Sequence, residues 1–327
     1  MKKSNLTKHL IVLFLSIGSF FTLTSCEDEE QSQNALTSIA SIAQSNPNLS
    51  SLAAALNRAE LTGTLNASGT YTVFAPTNQA FSNFLAANGF DNLNEVPVPI
   101  LKEILLNHVI AEVRTSTSLP ASGYIKTLGK GSASSTNTLS MYVNKSEGVV
   151  LNGISEVTTA NISANNGVIH IVDAVIGLPT IVDHAVANSN FSRLVGALTS
   201  AGQPDFVSIL SGTGPYTVFA PTNSAFTDLD AELAAIPLVP TAEQLTSVLQ
   251  YHVLNGNVLS SDLPTVISGS SAGFVTALNE QQFEISLNGG AKIIDANSRN
   301  CNIVATDVQC SNGVIHVLSK VLLPNLD

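Results

Sequence analysis

Apolar residues recur at helical spacing in two early stretches, LTSIASIAQ (Leu36–Gln44) and LSSLAAALNRA (Leu49–Ala59), and the pattern predicts a helix in each. The period then changes. YTVFA, from Tyr71, is a compact β-rich run. Pro76-Thr77-Asn78 ends it and leaves Thr77 or Asn78 to cap a helix whose apolar stripe is Ala80, Phe81, Phe84 and Leu85. A second YTVFA begins at Tyr216, followed by Pro221-Thr222-Asn223 and a stripe of Ala225, Phe226 and Leu229. IPLVPTAEQLTSVLQYHVL, residues 236–254, reads as a turn and a helix, with Thr241 and Gln244 at the spacing of a capping box. Short β-like runs separated by Ser, Gly and Asn follow in both halves. That element order predicts an α+β fold.

The echo extends beyond one phrase. NLSSLAAAL (Asn48–Leu56) answers NFSRLVGAL (Asn190–Leu198), and NHV at Asn107 answers YHV at Tyr251. NGVIHIVDAVIGLP (Asn166–Pro179) answers NGVIHVLSKVLLP (Asn312–Pro324). Four markers recur in one order, each about 145 residues on, which means two whole domains rather than a solenoid of short units. The expected boundaries are 35–178 and 179–327, with the junction at Gly177-Leu178-Pro179 and no Gly/Ser or Pro-rich linker. A junction this short restricts relative motion.

These blocks resemble those of fasciclin (FAS1) domains, and the resemblance covers about Leu36 to Pro324. It implies two tandem domains, each a twisted β-sandwich-like wedge with packed helices. It also implies adhesion, matrix or carbohydrate association and protein contact, without catalysis. The family-motif positions are Thr72, Phe74, Pro76, Thr77 and Asn78 with His108, Asn166, Gly167, His170 and Asp173 in the first copy. In the second they are Thr217, Phe219, Pro221, Thr222 and Asn223 with Tyr251, His252, Asn312, Gly313 and His316. The second copy departs from the pattern at Ser319, which stands where Asp173 stands, so any hydrogen bond of that carboxylate must be replaced or absent there. Some adhesion members use an exposed Tyr-His motif for receptor binding. Only Tyr251-His252 keeps that form, the first copy having Asn107-His108, so receptor specificity does not transfer.

The chain's beginning adds a location. Three lysines precede the apolar run Leu10–Leu23, which is short for a span of about 20 residues, and residues 1–25 read as a signal peptide. LTSC, ending at Cys26, resembles the lipobox of bacterial lipoproteins and implies cleavage before Cys26 and its lipidation; an unmodified secreted protein is the rival. Residues 26–34 would form an acidic tether, and its EDEE is similar to the acidic run of Bacteroidetes-type surface lipoproteins. The expected location is the outer membrane, with surface-exposed and periplasm-facing orientations both open. Removing Lys2, Lys3 and Lys8 takes the formal net charge from −11 to −14, which disfavours nucleic acid as a partner. Extracellular or envelope protein, or polysaccharide, is the expected partner. Membrane contact would come through the lipid.

Candidate chemistry is sparse. Cys301 and Cys310 share a late β-like segment. An oxidising compartment would let them form a disulfide if they face one another across a hairpin, a thin metal pair being the alternative. The histidines His108, His170, His252 and His316 are duplicated pairwise and motivate the alternative of a small-ligand or hydrolytic groove. No nucleophile elbow, HExxH, GxGxxG or Walker A motif supplies further machinery, and no cofactor is expected. Asp205, Asp228, Asp230 and Glu232 form an acidic cluster that reads as solvated surface charge.

Overall fold

The structure, a computed structural model, describes residues 37–234, 240–266 and 272–326. Cys26, the signal peptide and the acidic tether lie outside these residues.

Each repeat opens with three short helices. In the first these are α1 (Ile39–Ser45), α2 (Ser50–Arg58) and α3 (Thr62–Asn66). Strand β1 (Tyr71–Pro76) and helices α4 (Asn78–Ala87) and α5 (Val98–Asn107) follow. The remaining strands are β2 (Val109–Ile110), β3 (Ser122–Lys130), β4 (Thr138–Asn144), β5 (Val150–Leu151), β6 (Ser155–Ala164) and β7 (Gly167–Val172). They form one sheet in the order β2-β1-β7-β6-β5-β4-β3, in which β1 and β7 are parallel and the other pairs antiparallel.

The second repeat follows the same order, with one added short helix, Leu263–Val266, before its second strand. Helices α6 (Ile181–Ala187), α7 (Ser192–Leu198) and α8 (Phe206–Ser211) lead to β8 (Tyr216–Pro221), α9 (Asn223–Leu233) and α10 (Ala242–Tyr251). Strands β9 (Val253–Asn255), β10 (Ala272–Thr276), β11 (Gln282–Ser286), β12 (Lys292–Ile294), β13 (Asn300–Cys310) and β14 (Gly313–Leu318) complete it. Their order is β10-β11-β12-β13-β14-β8-β9, again with one parallel pair, β8 with β14. This is the α+β architecture expected of two tandem fasciclin-like domains.

Two cores in each domain explain why the repeated strand is apolar throughout. Side chains alternate across a strand. Val73 and Ala75 of β1 therefore enter a core beneath the helices, with Leu52, Leu56 and Leu105. Phe74 points the other way, into a core between the two halves of the folded sheet, with Met141, Val143 and Leu151. Strand β8 repeats this, Val218 and Ala220 facing the helices and Phe219 facing Phe283, Ile285 and Ile293. Gly167 begins β7 against Tyr71, where a Cβ would lie 1.9 Å from the Tyr71 carbonyl oxygen, so only glycine fits. Gly313 faces Tyr216 in the same way, at 2.1 Å.

The repeats meet directly. Buried Ser140 of β4 accepts from the Gln309 amide of β13 at 3.0 Å, and Lys126 Nζ donates to the Asp307 carbonyl at 2.8 Å. Ser311 donates its amide to the Pro179 carbonyl at 2.7 Å and accepts at its own carbonyl from the Ala133 amide at 2.8 Å. Asn188 donates to the Tyr124 hydroxyl at 3.2 Å, and the Tyr124 ring meets His184 edge-on at 5.5 Å.

One expectation is overturned. Cys301 and Cys310 are free thiols, not a disulfide. Both lie on β13, near its start and at its end, with about 30 Å of extended chain between them. Their side chains serve different cores, Cys301 within the sheet and Cys310 beneath the helices. They cannot face each other across a hairpin because they share a strand. Burial pushes the Cys301 thiol up to about 12 and the Cys310 thiol higher than its ordinary range. Both thiols are therefore expected to resist Ellman's reagent in the native protein and to react on denaturation, with no mass change on reduction. A gain of two protons on reduction would contradict this arrangement.

Candidate functional site

The duplicated motif residues come together around the parallel strand pair, and each can be followed to its partners. Thr72 and Thr217 are fully buried. Thr72 Oγ1 donates to the Glu112 carbonyl at 2.6 Å and accepts from the Arg114 amide at 2.7 Å. Thr217 does the same with the Gly256 carbonyl at 2.7 Å and the Val258 amide at 2.9 Å. Pro76 and Pro221 close the two strands. Thr77 and Thr222 cap α4 and α9 through the amides of Ala80 and Ala225. Asn78 and Asn223 have a different task. Asn78 reaches back to the start of α2, accepting from the Ser51 amide at 2.8 Å and donating to the Pro47 carbonyl. Asn223 holds α7 through the Arg193 amide and the Ser189 carbonyl.

Asn166, in the turn before β7, accepts from the Ile39 amide at the start of α1 and donates to the Leu65 and Ala67 carbonyls at the end of α3. Asn312 makes the same three bonds to Ile181, Leu210 and Gly212. One buried amide side chain thus joins the first helix, the third helix and the central strand. Asp173 accepts from the Glu156 amide at 2.7 Å. At the corresponding place Ser319 Oγ accepts from the Asn302 amide at 3.1 Å, so the hydroxyl replaces the carboxylate as acceptor.

The four paired histidines are also occupied. His108 donates from Nδ1 to the Ile104 carbonyl at 2.8 Å and accepts at Nε2 from the Ile176 amide at 2.9 Å. His252 makes the equivalent bonds to Val248 and Leu322 at 2.7 and 2.9 Å. His170 and His316 use the opposite tautomer. Nδ1 accepts from Asn161 or Asp307, each a left-handed residue in a bulged strand, while Nε2 donates to the Arg114 or Val258 carbonyl at 2.8 Å. In every case one ring nitrogen must remain an acceptor, which requires neutral imidazole. Burial lowers all four pKa values, to about 4 for His108 and His252. Phe74 and Phe219 stack on His170 and His316 with ring centroids 5.4 Å apart.

Tyr251 and His252 are both buried, so this Tyr-His pair does not form an exposed recognition motif. The Tyr251 hydroxyl donates to the Gln282 carbonyl at 2.7 Å, and burial raises its pKa to about 12. The acidic cluster is divided among separate tasks. Asp205 caps α8, Asp230 pairs with Arg193 at 2.8 Å, and Glu232 pairs with Arg299 at 2.8 Å. Among the described residues, no group of three or more His, Cys, Asp or Glu is placed to hold a metal ion.

His184, at whose place the first copy has Ile42, escaped the sequence reading. It is fully buried at the contact between repeats, and neither ring nitrogen makes a hydrogen bond. Burial lowers its pKa to about 4, against opposing influences from Asp183 and the nearby Ser140 carbonyl. A cleft of about 400 Å³ opens along the same helix at Asp183, Val186 and Ala187, facing Asn152, Gly153 and Ile154 of the first repeat. Ile154 and Val186 project from opposite repeats and are 61% and 65% exposed.

The Fasciclin domain model matches residues 47–179 and 189–324. Protein sll1483 from Synechocystis is 36% identical over 146 residues, covering 44% of this chain and 73% of that protein. Uncharacterized protein sll1735 from the same organism is 33% identical over 146 residues, covering 45% of this chain and 98% of that protein. The pig transforming growth factor-beta-induced protein ig-h3 is 27% identical over 267 residues, 79% of this chain but only 35% of that longer protein.

The hydrogen-bond geometry makes two predictions. His108→Ala and His252→Ala each leave a buried amide and carbonyl without partners and should cost about 3 kcal/mol in urea unfolding. A loss below about 0.5 kcal/mol would contradict the assigned bonds. His108, His184 and His252 are harder to protonate folded than unfolded. Stability should therefore be flat above about pH 6.5 and fall toward pH 4, by about 1.4 kcal/mol per pH unit for each histidine. Urea midpoints measured from pH 7.5 to 4 test the slope and its sign. The two matched blocks, on two equivalent folds built from the same buried clamps, place this chain in the fasciclin domain family.

Proposed function

We propose that the protein is a non-enzymatic adhesion or scaffold module that binds extracellular or envelope protein, or polysaccharide. One observation carries this reading: every duplicated histidine has both ring nitrogens committed to the main chain, leaving none to act as acid, base or ligand. The buried repeated residues build the domain, so recognition falls to exposed side chains outside these clamps. The cleft between repeats offers such a surface, since Ile154 and Val186 are large exposed apolar side chains on its two sides. The hydrolytic alternative has no free nucleophile–base pair in the duplicated residues to support it.

Anchoring at the outer membrane through lipidated Cys26 belongs to the same reading and rests on the LTSC stretch and the acidic run after it. The domain limits 35–178 and 179–327 place the partner-binding unit beyond that anchor. Among the described residues no helix is long and apolar enough to cross a membrane.

The intact ectodomain should retain specific partners from arrays of envelope proteins and surface polysaccharides. Ile154→Asp combined with Val186→Asp should weaken capture at least about tenfold without altering the unfolding midpoint. Unchanged capture would move recognition elsewhere, and the absence of any specific partner would sink the adhesion reading. For the anchor, Cys26→Ser should abolish incorporation of labelled palmitate and release the protein from the membrane fraction. Persistent labelling would exclude Cys26 as the lipid site.

A further inference from the structure

The second domain contains an apolar cavity of about 130 Å³ between its helices and the face of β8. Ala185, Leu194, Leu198, Leu210, Val218 and Leu249 contribute to its wall. The polar side chains on the wall, Thr199 and His252, have their hydrogen-bonding groups turned to the backbone. Thr199 Oγ1 donates to the Val195 carbonyl at 2.9 Å, and both His252 nitrogens are engaged with Val248 and Leu322. The wall therefore offers an occupant contact area but no hydrogen bond, which disfavours a sugar or a charged molecule. A cavity of roughly 150 Å³ lined by aliphatic and aromatic side chains excludes water and accepts benzene.

The cavity lies where the two repeats differ in burial. After α2, the short connection 59–61 buries Ala59 and Leu61, and Ala40, Ala55 and Leu56 are buried with them. After α7, the longer connection 199–205 has no buried residue. Val182, Ala197 and Leu198, at the places of Ala40, Ala55 and Leu56, are only partly buried. Val186 and Val207 line the cavity while remaining 65% and 40% exposed, which puts its opening on the outer helical surface.

We propose that this cavity binds a small uncharged apolar molecule, the size of one aromatic ring or a short branched hydrocarbon. Val186 borders both this cavity and the cleft between the repeats, but Leu194, Leu210, Val218 and Leu249 line the cavity and not the cleft. A neighbouring apolar space of about 90 Å³ shares Leu194, Leu249 and His252 with it but is bordered by Leu229 and Leu245 instead of Leu210 and Val218. That difference identifies the site experimentally.

Benzene titrated into the purified intact protein should bind saturably and give intermolecular NOEs to the Leu210 and Val218 methyl groups. Ala185→Leu, which fills the cavity from α6, should weaken benzene binding at least about tenfold while keeping or raising the unfolding midpoint. No saturable binding, or NOEs to Leu229 and Leu245 alone, would overturn the proposal. So would equal affinity in a folded Ala185→Leu protein. If that variant does not fold, the NOE pattern in the unsubstituted protein decides the matter by itself.

Discussion

The parallel pairing of β1 with β7, and of β8 with β14, is the constraint on which each domain depends. A parallel pair joins strands that are distant in sequence and is normally covered on both faces. Here one face carries the helices and the other carries the folded-over part of the same sheet, so the central strands contribute to two cores. A buried strand has no water to satisfy polar neighbours, and the structure supplies Thr72, Asn166, His108 and His170 for that purpose. Their second-domain counterparts meet the same demand. The parallel register also forces the tight approach of β7 to Tyr71, and hence the glycine at 167.

This accounts for the chemical silence of residues that look functional. A histidine that donates from one nitrogen and accepts at the other is a neutral clip between two backbone segments. Proton transfer by such a ring would break one of the bonds that hold it. Asp173 and Ser319 illustrate the same economy: both accept one strand amide, so a carboxylate and a hydroxyl are interchangeable at that position without changing the fold. Similar framework chemistry therefore allows the two domains to diverge at their surfaces and in the packing of their outer helices.

The repeats differ where they touch and where the helices cover the sheet. His184 occupies the domain contact in the second copy, next to Tyr124 of the first, at the place of Ile42, so repetition of histidines does not mark it. The long connection following α7 has no buried residue and borders a cavity, whereas the shorter connection following α2 buries Ala59 and Leu61. Neither feature alters the strand order. Both change what the surface and interior of the second domain can contact.

The sequence by itself determined the duplication, the mixed α+β class and the order strand, turn, helix in YTVFAPTN, because those depend on local periodicity, turn chemistry and repetition. Only the tertiary structure decided which partners the buried polar groups meet. Thr77 caps the helix that follows it, whereas Asn78 turns back to the helix at Ser51, a choice made by packing across 27 residues. The cysteines mark the same limit most plainly. Compartment and spacing allow a Cys301–Cys310 bridge, but one continuous strand holds the thiols far apart and delivers them to different cores. Chain proximity does not set spatial proximity once a strand is extended, and that is why tertiary geometry overrules the pairing.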